Sequence, residues 1–243
     1  MKRALAFLTV VPTPGRSTEP PDRRTFAWFP VVGALIGLAL GSVWWLAGRW
    51  WPPAVAAGLV VIADLALTGL LHLDGLIDSA DGLLPHLDRD RRLAVMAQPD
   101  VGAFGVAVAV AVIGLRFAAL ASMTPSVVLL AGVWAASRTS MAVIAGLLPY
   151  AREHGLASPF HESLSSGSAA AWRPIALYGL IGSVSLGALT GSRLNELAVA
   201  TVFAGAGAVA LFARRQIGGY TGDVLGAAGV IGETVALVIA SAR

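Results

Sequence analysis

The chain has 243 residues, of which 56% are apolar and only 13% charged, about half the charged share of a soluble domain. With a mean hydropathy of +0.76 and several nearly uncharged runs of roughly 18–24 residues, the composition specifies an all-α integral membrane protein. It reads as a polytopic helical bundle forming one domain over residues 1–243, and it excludes a sizeable soluble domain. The lack of cysteine excludes disulfides, thiolate metal sites and a cysteine nucleophile, and the net charge of +3 says little, because membrane proteins place their arginines in loops.

At the start, "MKRALAFLTVVPTPG" sets Lys2 and Arg3 ahead of an apolar run from Ala4 to Val11. The run is short, Pro12 and Pro14 interrupt it, and no small-x-small cleavage pattern follows. A short helix at the membrane interface is expected there, not a cleaved signal. About seven apolar windows follow, near 28–50, 54–71, 101–121, 125–148, 174–191, 196–212 and 224–241. Trp28, Trp44, Trp45, Trp50, Trp51 and Trp172 sit near their ends, where amphipathic rings prefer the headgroup layer. Pro52-Pro53 makes the first connection tight, and small residues as in "GALIG" allow close helix packing in lipid.

Between the second and third windows lies "LHLDGLIDSADGLLPHLDRDRRLAVMAQPDVG", residues 71–102, which holds Asp74, Asp78, Asp81, Asp88, Asp90 and Asp100. On a helix over 72–82, Asp74, Asp78 and Asp81 stand at i, i+4 and i+7, on one stripe. Three carboxylates in a region of lowered dielectric repel one another and require positive compensation. Mg²⁺ is the natural candidate, since it takes hard oxygen ligands and shares them with substrate phosphates. His72 points away from that stripe and is not counted as a ligand. Beyond Pro85 the helix ends, and Arg89, Arg91 and Arg92 are placed to meet an anionic substrate. The competing reading is a solvated loop whose acids and arginines pair. The stripe at the end of an apolar span, with Gly75, Ser79, Ala80 and Gly82 leaving room for a ligand, favours a site.

Further along, Asp64, Arg116, Arg138 and Glu233 are ionisable groups in or near spans, where such groups face a cavity or a partner. Arg116 and Arg138 are candidates to reach diphosphate oxygens; the competing reading is ion pairing inside the bundle, Arg116 with Asp64 for example. His154 and His161, in "AREHGLASPFHES", are weaker signals. Before the last window, "RRQIGGYTGDVLGAAG" sets glycines around Asp223, with backbone N–H groups free to face an anion and a carboxylate free to add a metal ligand. Asp223 as an ordinary N-cap is the alternative there.

The arginines set the sidedness. A seven-span reading puts twelve basic residues on the face of segments 1–27, 72–100, 149–173 and 213–223, and three, Arg49, Arg193 and Arg243, on the other. The rich face is expected in the cytoplasm, so the polar site faces the cytoplasm. A divalent cation and phosphates at such a site point to phosphoryl or phosphodiester transfer.

"TGLLHLDGLIDSADGL", followed by "DRDRRLAVMAQPDVGAFGV", resembles the cobalamin-5′-phosphate synthase family of adenosylcobinamide-GDP ribazoletransferases. "FLTVVPTP", "ASRTSMAVIAGLLPYAREHGL" and "IGGYTGDVLGA" resemble its other blocks, in the family's order and nearly end to end. Leu70 departs from the family, standing where a second glycine is usual, as does Gln98-Pro99; Asp100 is displaced and is not counted as a site residue. The resemblance implies a magnesium-dependent transferase of cobalamin biosynthesis in the cell (inner) membrane. It joins adenosylcobinamide-GDP to α-ribazole, or its 5′-phosphate, and releases GMP. It further implies catalytic residues Asp74, Asp78 and Asp81, a Mg²⁺ site of those three with Asp223, and substrate contacts from His72, Arg89, Arg92, Arg138, Gly219 and Thr221. The partners expected are those small molecules and the bilayer, with no nucleic acid and with a homo-oligomer left open. A CDP-alcohol phosphotransferase-like enzyme and a cation-coupled transporter are the alternatives. The first lacks its DG-x-x-A-R opening here, and the second suits a midplane site in repeated halves, which the sequence does not show.

Overall fold

The computed structural model describes residues 1–13, 23–152 and 173–242. Arg16, His154, His161, Trp172 and Arg243 lie outside the described residues. The described chain is helical, with one isolated bridge, between Tyr150 and Tyr220. Its helices are α1 Lys2–Leu8, α2 Arg23–Phe26, α3 Phe29–Ala47, α4 Pro53–Leu67, α5 Leu71–Leu83, α6 Arg89–Val95 and α7 Ala103–Ser122. After them come α8 Val127–Leu147, α9 Arg173–Ala188, α10 Arg193–Ile217 and α11 Gly222–Ala240.

A helix occupies each of the seven apolar windows, but they are not equivalent. Among the described residues, five segments are long and apolar enough to cross a membrane: Arg24–Ala47, α7, α8, α10 and α11. A sixth is reached only if α4 and α5, bent by 88°, count as one broken span. At 15 and 16 residues, α4 and the described part of α9 are shorter than the roughly 20 residues a straight crossing needs. The outer surface carries large exposed apolar side chains, among them Leu35, Ile62, Val110, Leu177 and Leu211, which suits lipid and not water.

At the centre stands α8, buried along almost its whole length, including the polar run Ser137–Ser140. Gly33, Gly37 and Gly41 of α3 lie against the α8 backbone at Trp134, Leu130 and Val127, so close that a Cβ at any of the three would collide with it. This small-residue stripe gives dispersion contacts that longer side chains would forbid, and such contacts drive helix association in lipid.

The connections differ at the two ends of the bundle. At one end they are tight: α3 to α4, α7 to α8 and α9 to α10 each turn within about five residues, and Gly48 sits beside Pro125 at that end. Everything else gathers at the other end. The backbone N–H of Val10, after α1, donates to Leu67 O at the end of α4 (2.9 Å). Pro149 O accepts from Tyr220 N (3.0 Å), and Tyr220 O from Ala151 N (2.8 Å), joining the segment after α8 to the one between α10 and α11.

The bend between α4 and α5 rests on two consecutive left-handed residues, Gly69 (φ 59°) and Leu70 (φ 63°). Glycine adopts that region freely, whereas a side chain crowds the following carbonyl. A glycine at position 70, which the resemblance leads one to expect, would have a conformational reason, and Leu70, half-exposed, gains little burial in return. Leu70→Gly is expected to raise stability by about 1 kcal/mol. Thermal unfolding in detergent checks this; a lower midpoint would contradict it.

Candidate active site

Because of that bend, α5 leaves the line of α4 and lies across the end of the bundle, too short at 13 residues to cross by itself. Gly75 brings α5 onto the start of α11: a Cβ there would stand 2.8 Å from Asp223 O and 3.0 Å from Asp223 Cα. Asp74 and Asp223, from distant parts of the sequence, consequently line one cavity of about 130 Å³. His72, Tyr150, Arg152 and an apolar group including Phe7, Leu8, Phe26 and Phe29 complete most of its wall.

Thr221 caps α11, accepting from Val224 N (3.3 Å), and its hydroxyl donates to Asp223 Oδ2 (3.2 Å). Arg152 pairs with the same carboxylate at 3.0 Å. Asp78, one turn along α5 from Asp74, is partly buried. Burial, then the charges of Asp223 and Asp74, push its carboxyl up to about 7, with Arg152 opposing. The three acids therefore crowd negative charge in one place. Gly219 serves the backbone: a side chain there would run into Pro149 O, the acceptor that joins the two segments.

Among the described residues, no three His, Asp or Glu side chains converge closely enough to hold a metal ion unaided. Magnesium does not require that, since it is commonly bound by one or two carboxylates plus phosphate oxygens and water. The hard oxygens of Asp74, Asp78 and Asp223, crowded without full compensation, fit such an ion.

Four of the expected site residues are engaged elsewhere. Asp81 accepts from Gly102 N (2.7 Å) and Gly105 N (2.9 Å), supplying the cap that glycine at position 102 cannot give to α7. Arg92 donates to Gly82 O (3.0 Å) and Leu83 O (2.6 Å), closing the C-terminus of α5. Arg89 donates to Ile217 O (3.1 Å) and Ala151 O (2.9 Å), holding the end of α10 to the 149–151 segment. Arg138 is buried and donates to Glu233 Oε1 (2.6 Å) and Ser137 Oγ (2.7 Å). None of these four lines the cavity that holds Asp74 and Asp223; the hydrogen bonds just given tie each of them to the fold. His72 does face the cavity; it is buried, and its Nδ1 has no hydrogen-bond partner among the described residues. Arg152, not singled out from the sequence, lines the same cavity and pairs with Asp223.

Arg138 belongs to a network deep in the bundle. Arg116 of α7 pairs with Asp64 of α4 (2.9 Å) and with Glu233 of α11, and its Nε donates to Thr234 Oγ1 (2.9 Å). Trp134 Nε1 donates to Asp64 Oδ1 (3.2 Å). Two arginines and two carboxylates cancel, so four helices are tied without net charge. The ion pairing of Arg116 with Asp64 anticipated above is what the structure holds.

Glu233→Gln leaves two buried guanidiniums facing one carboxylate, and is expected to cost about 3–5 kcal/mol. A loss below about 1 kcal/mol in detergent unfolding would contradict the network's role. Asp81→Ala orphans two backbone N–H groups and should cost about 1–3 kcal/mol. Asp78→Asn removes repulsion and should leave the unfolding midpoint unchanged or raised; the opposite ranking of these two variants would contradict the division of roles.

Residues 1–241 match the family model described as Cobalamin-5-phosphate synthase. The chain is 36% identical to an adenosylcobinamide-GDP ribazoletransferase of Leptothrix cholodnii, over 96% of this chain and 91% of that protein. It is 36% identical to one of Chlorobium phaeobacteroides, over 97% and 94%, and 35% identical to one of Bradyrhizobium diazoefficiens, over 100% and 93%. No solved structure matches. A match of that length, carrying the aspartates that the bend brings to the cavity, leaves one conclusion: the chain belongs to the cobalamin-5-phosphate synthase family.

Proposed function

We propose that this protein is an adenosylcobinamide-GDP ribazoletransferase, joining adenosylcobinamide-GDP to α-ribazole or its 5′-phosphate with release of GMP. The observation that carries the reading is the end-to-end family match, with Asp74 and Asp223 of the matched blocks on the wall of one cavity. The match supports neither a CDP-alcohol phosphotransferase nor a transporter.

In the proposed reaction a hydroxyl oxygen of α-ribazole bonds to the phosphorus that carries the aminopropanol arm of cobinamide. The bond from that phosphorus to the bridging oxygen breaks, and GMP leaves with the electron pair. The hydroxyl proton passes to a carboxylate of the cluster, Asp74 or Asp78, which stand beside the cavity on α5. Arg152, next to Asp223, contributes positive charge toward the diphosphate. Mg²⁺, when bound by one or two of the carboxylates Asp74, Asp78 and Asp223, would neutralise and align the diphosphate. The apolar walls keep water from the activated phosphorus, so the riboside and not water is the acceptor.

The site belongs, in this reading, to the cytoplasmic face of the cell membrane, with all seven apolar helices crossing it. Eleven basic residues among the described ones, from Lys2 to Arg215, support the orientation. They lie at the end of the bundle where α5 and the cavity are.

The test is GMP release by purified protein in detergent with adenosylcobinamide-GDP and Mg²⁺, with and without α-ribazole. GMP should appear one-for-one with the corrinoid product, fall far below that level without α-ribazole, and stop on chelation. Asp78→Asn should lower the rate by about a hundredfold or more. Equal GMP release without α-ribazole would make the protein a hydrolase, and none under any condition would overturn the assignment.

A further inference from the structure

The cavity beside Asp74 and Asp223 carries more aromatic surface than phosphoryl transfer needs. Phe26 and Phe29, both buried, have ring centroids 4.6 Å apart, and Phe7 of α1 lies 6.0 Å from Phe29 at an interplanar angle of 21°. With Leu8 they form a continuous apolar wall on the same cavity as the two carboxylates. A helix as short as α1 gives the bundle little packing surface. Its cavity-facing side nevertheless ends in a phenylalanine that is only partly buried.

We infer that this wall seats the base of the acceptor riboside, so that Phe7, Phe26 and Phe29 read the benzimidazole ring of α-ribazole. The inference rests on the transferase reading given above. Three physical comparisons select the benzimidazole over the other parts of the two substrates. The corrin ring is far larger than the cavity, whereas an apolar cavity of about 150 Å³ takes an aromatic ring such as benzene. Guanine fits by size, but its edge is lined with donors and acceptors. An aromatic wall would leave these unpaired, at a cost of about 1–3 kcal/mol each. A dimethylbenzimidazole edge presents methyl groups instead, which gain from the same burial. Connectivity agrees: the base of α-ribazole lies one ribose from the attacking hydroxyl, while guanine lies a phosphate and a ribose beyond the reacting phosphorus. With the phosphates at Asp74 and Asp223, the group within reach of Phe7 and Phe29 is the acceptor's base.

The experiment measures KM for each substrate separately, from GMP release, in the wild type, Phe7→Ala and Phe7→Leu. Loss of one aromatic–base contact should raise KM for α-ribazole about tenfold in Phe7→Ala, while KM for adenosylcobinamide-GDP stays within about twofold. Phe7→Leu keeps apolar volume without the ring and should move KM for α-ribazole in the same direction, with an unaltered unfolding midpoint. The wild type itself provides a test without mutation. KM should rise from the dimethylbenzimidazole riboside to the unmethylated one, and again to the hypoxanthine riboside of similar size. Titration calorimetry with α-ribazole alone gives the same ranking independently of turnover. A rise in KM for adenosylcobinamide-GDP instead, an equal rise for both substrates, or indifference to the base would overturn the assignment while leaving the transferase standing. Failure of the transferase reading looks different: no GMP with any riboside, and no heat with α-ribazole.

Discussion

A helix continued straight from Asp64 through Asp81 would drive the carboxylates of Asp74, Asp78 and Asp81 into the bundle or the lipid, where each is costly unless paired. The left-handed pair Gly69–Leu70 removes that conflict by turning the chain through 88°. The turn lays α5 across the end of the bundle and lets Gly75 approach Asp223, so that carboxylates distant in sequence meet at one cavity. The positions of the α7 cap on Asp81 and of α6, docked through Arg92, follow from where the turned helix ends. Helix α5 is thus both the carrier of the crowded carboxylates and the piece on which the neighbouring elements close.

The interior solves the same electrostatic problem by the opposite means. Asp64, Arg116, Glu233 and Arg138 stay in the bundle and neutralise one another, fixing the mutual positions of α4, α7, α8 and α11. A paired set of this kind gives register more than stability, because desolvation offsets most of the attraction. Above it, His72 lines both the cavity and the space around the network. The protein therefore has two charged layers: a neutral one inside, which holds the helices in place, and a crowded acidic one at the end, which fits a cation and a diphosphate.

Much of this was legible in the sequence. The apolar windows located the helices, and the i, i+4, i+7 spacing put three aspartates on one face. A helical stripe, however, names a face and not the neighbours along it. Asp74 and Asp81 lie about 10 Å apart along the axis, so one end of the stripe meets Asp223 and the other meets the N-terminus of α7. Arg89 and Arg92 read as phosphate contacts because their destinations, open carbonyls at the ends of α10 and α5, are set by tertiary packing. The span count was less legible still, since hydropathy runs unbroken through Thr68–Leu71 while the backbone turns. The glycine missing at position 70 was visible as a departure from the family pattern, but its physical meaning needed the φ angle.

On the proposed reading, Asp78 of α5 and Asp223 of α11 share one cation while Asp81 takes no part in it. Mn²⁺ binding to the purified protein, followed by electron paramagnetic resonance in the presence of the diphosphate substrate, tests this most directly. The account predicts that Asp78→Asn and Asp223→Asn each weaken Mn²⁺ binding by about tenfold or more, and that Asp81→Asn binds the ion as the wild type does. Wild-type affinity in Asp78→Asn and Asp223→Asn, with the loss confined to Asp81→Asn, would contradict it.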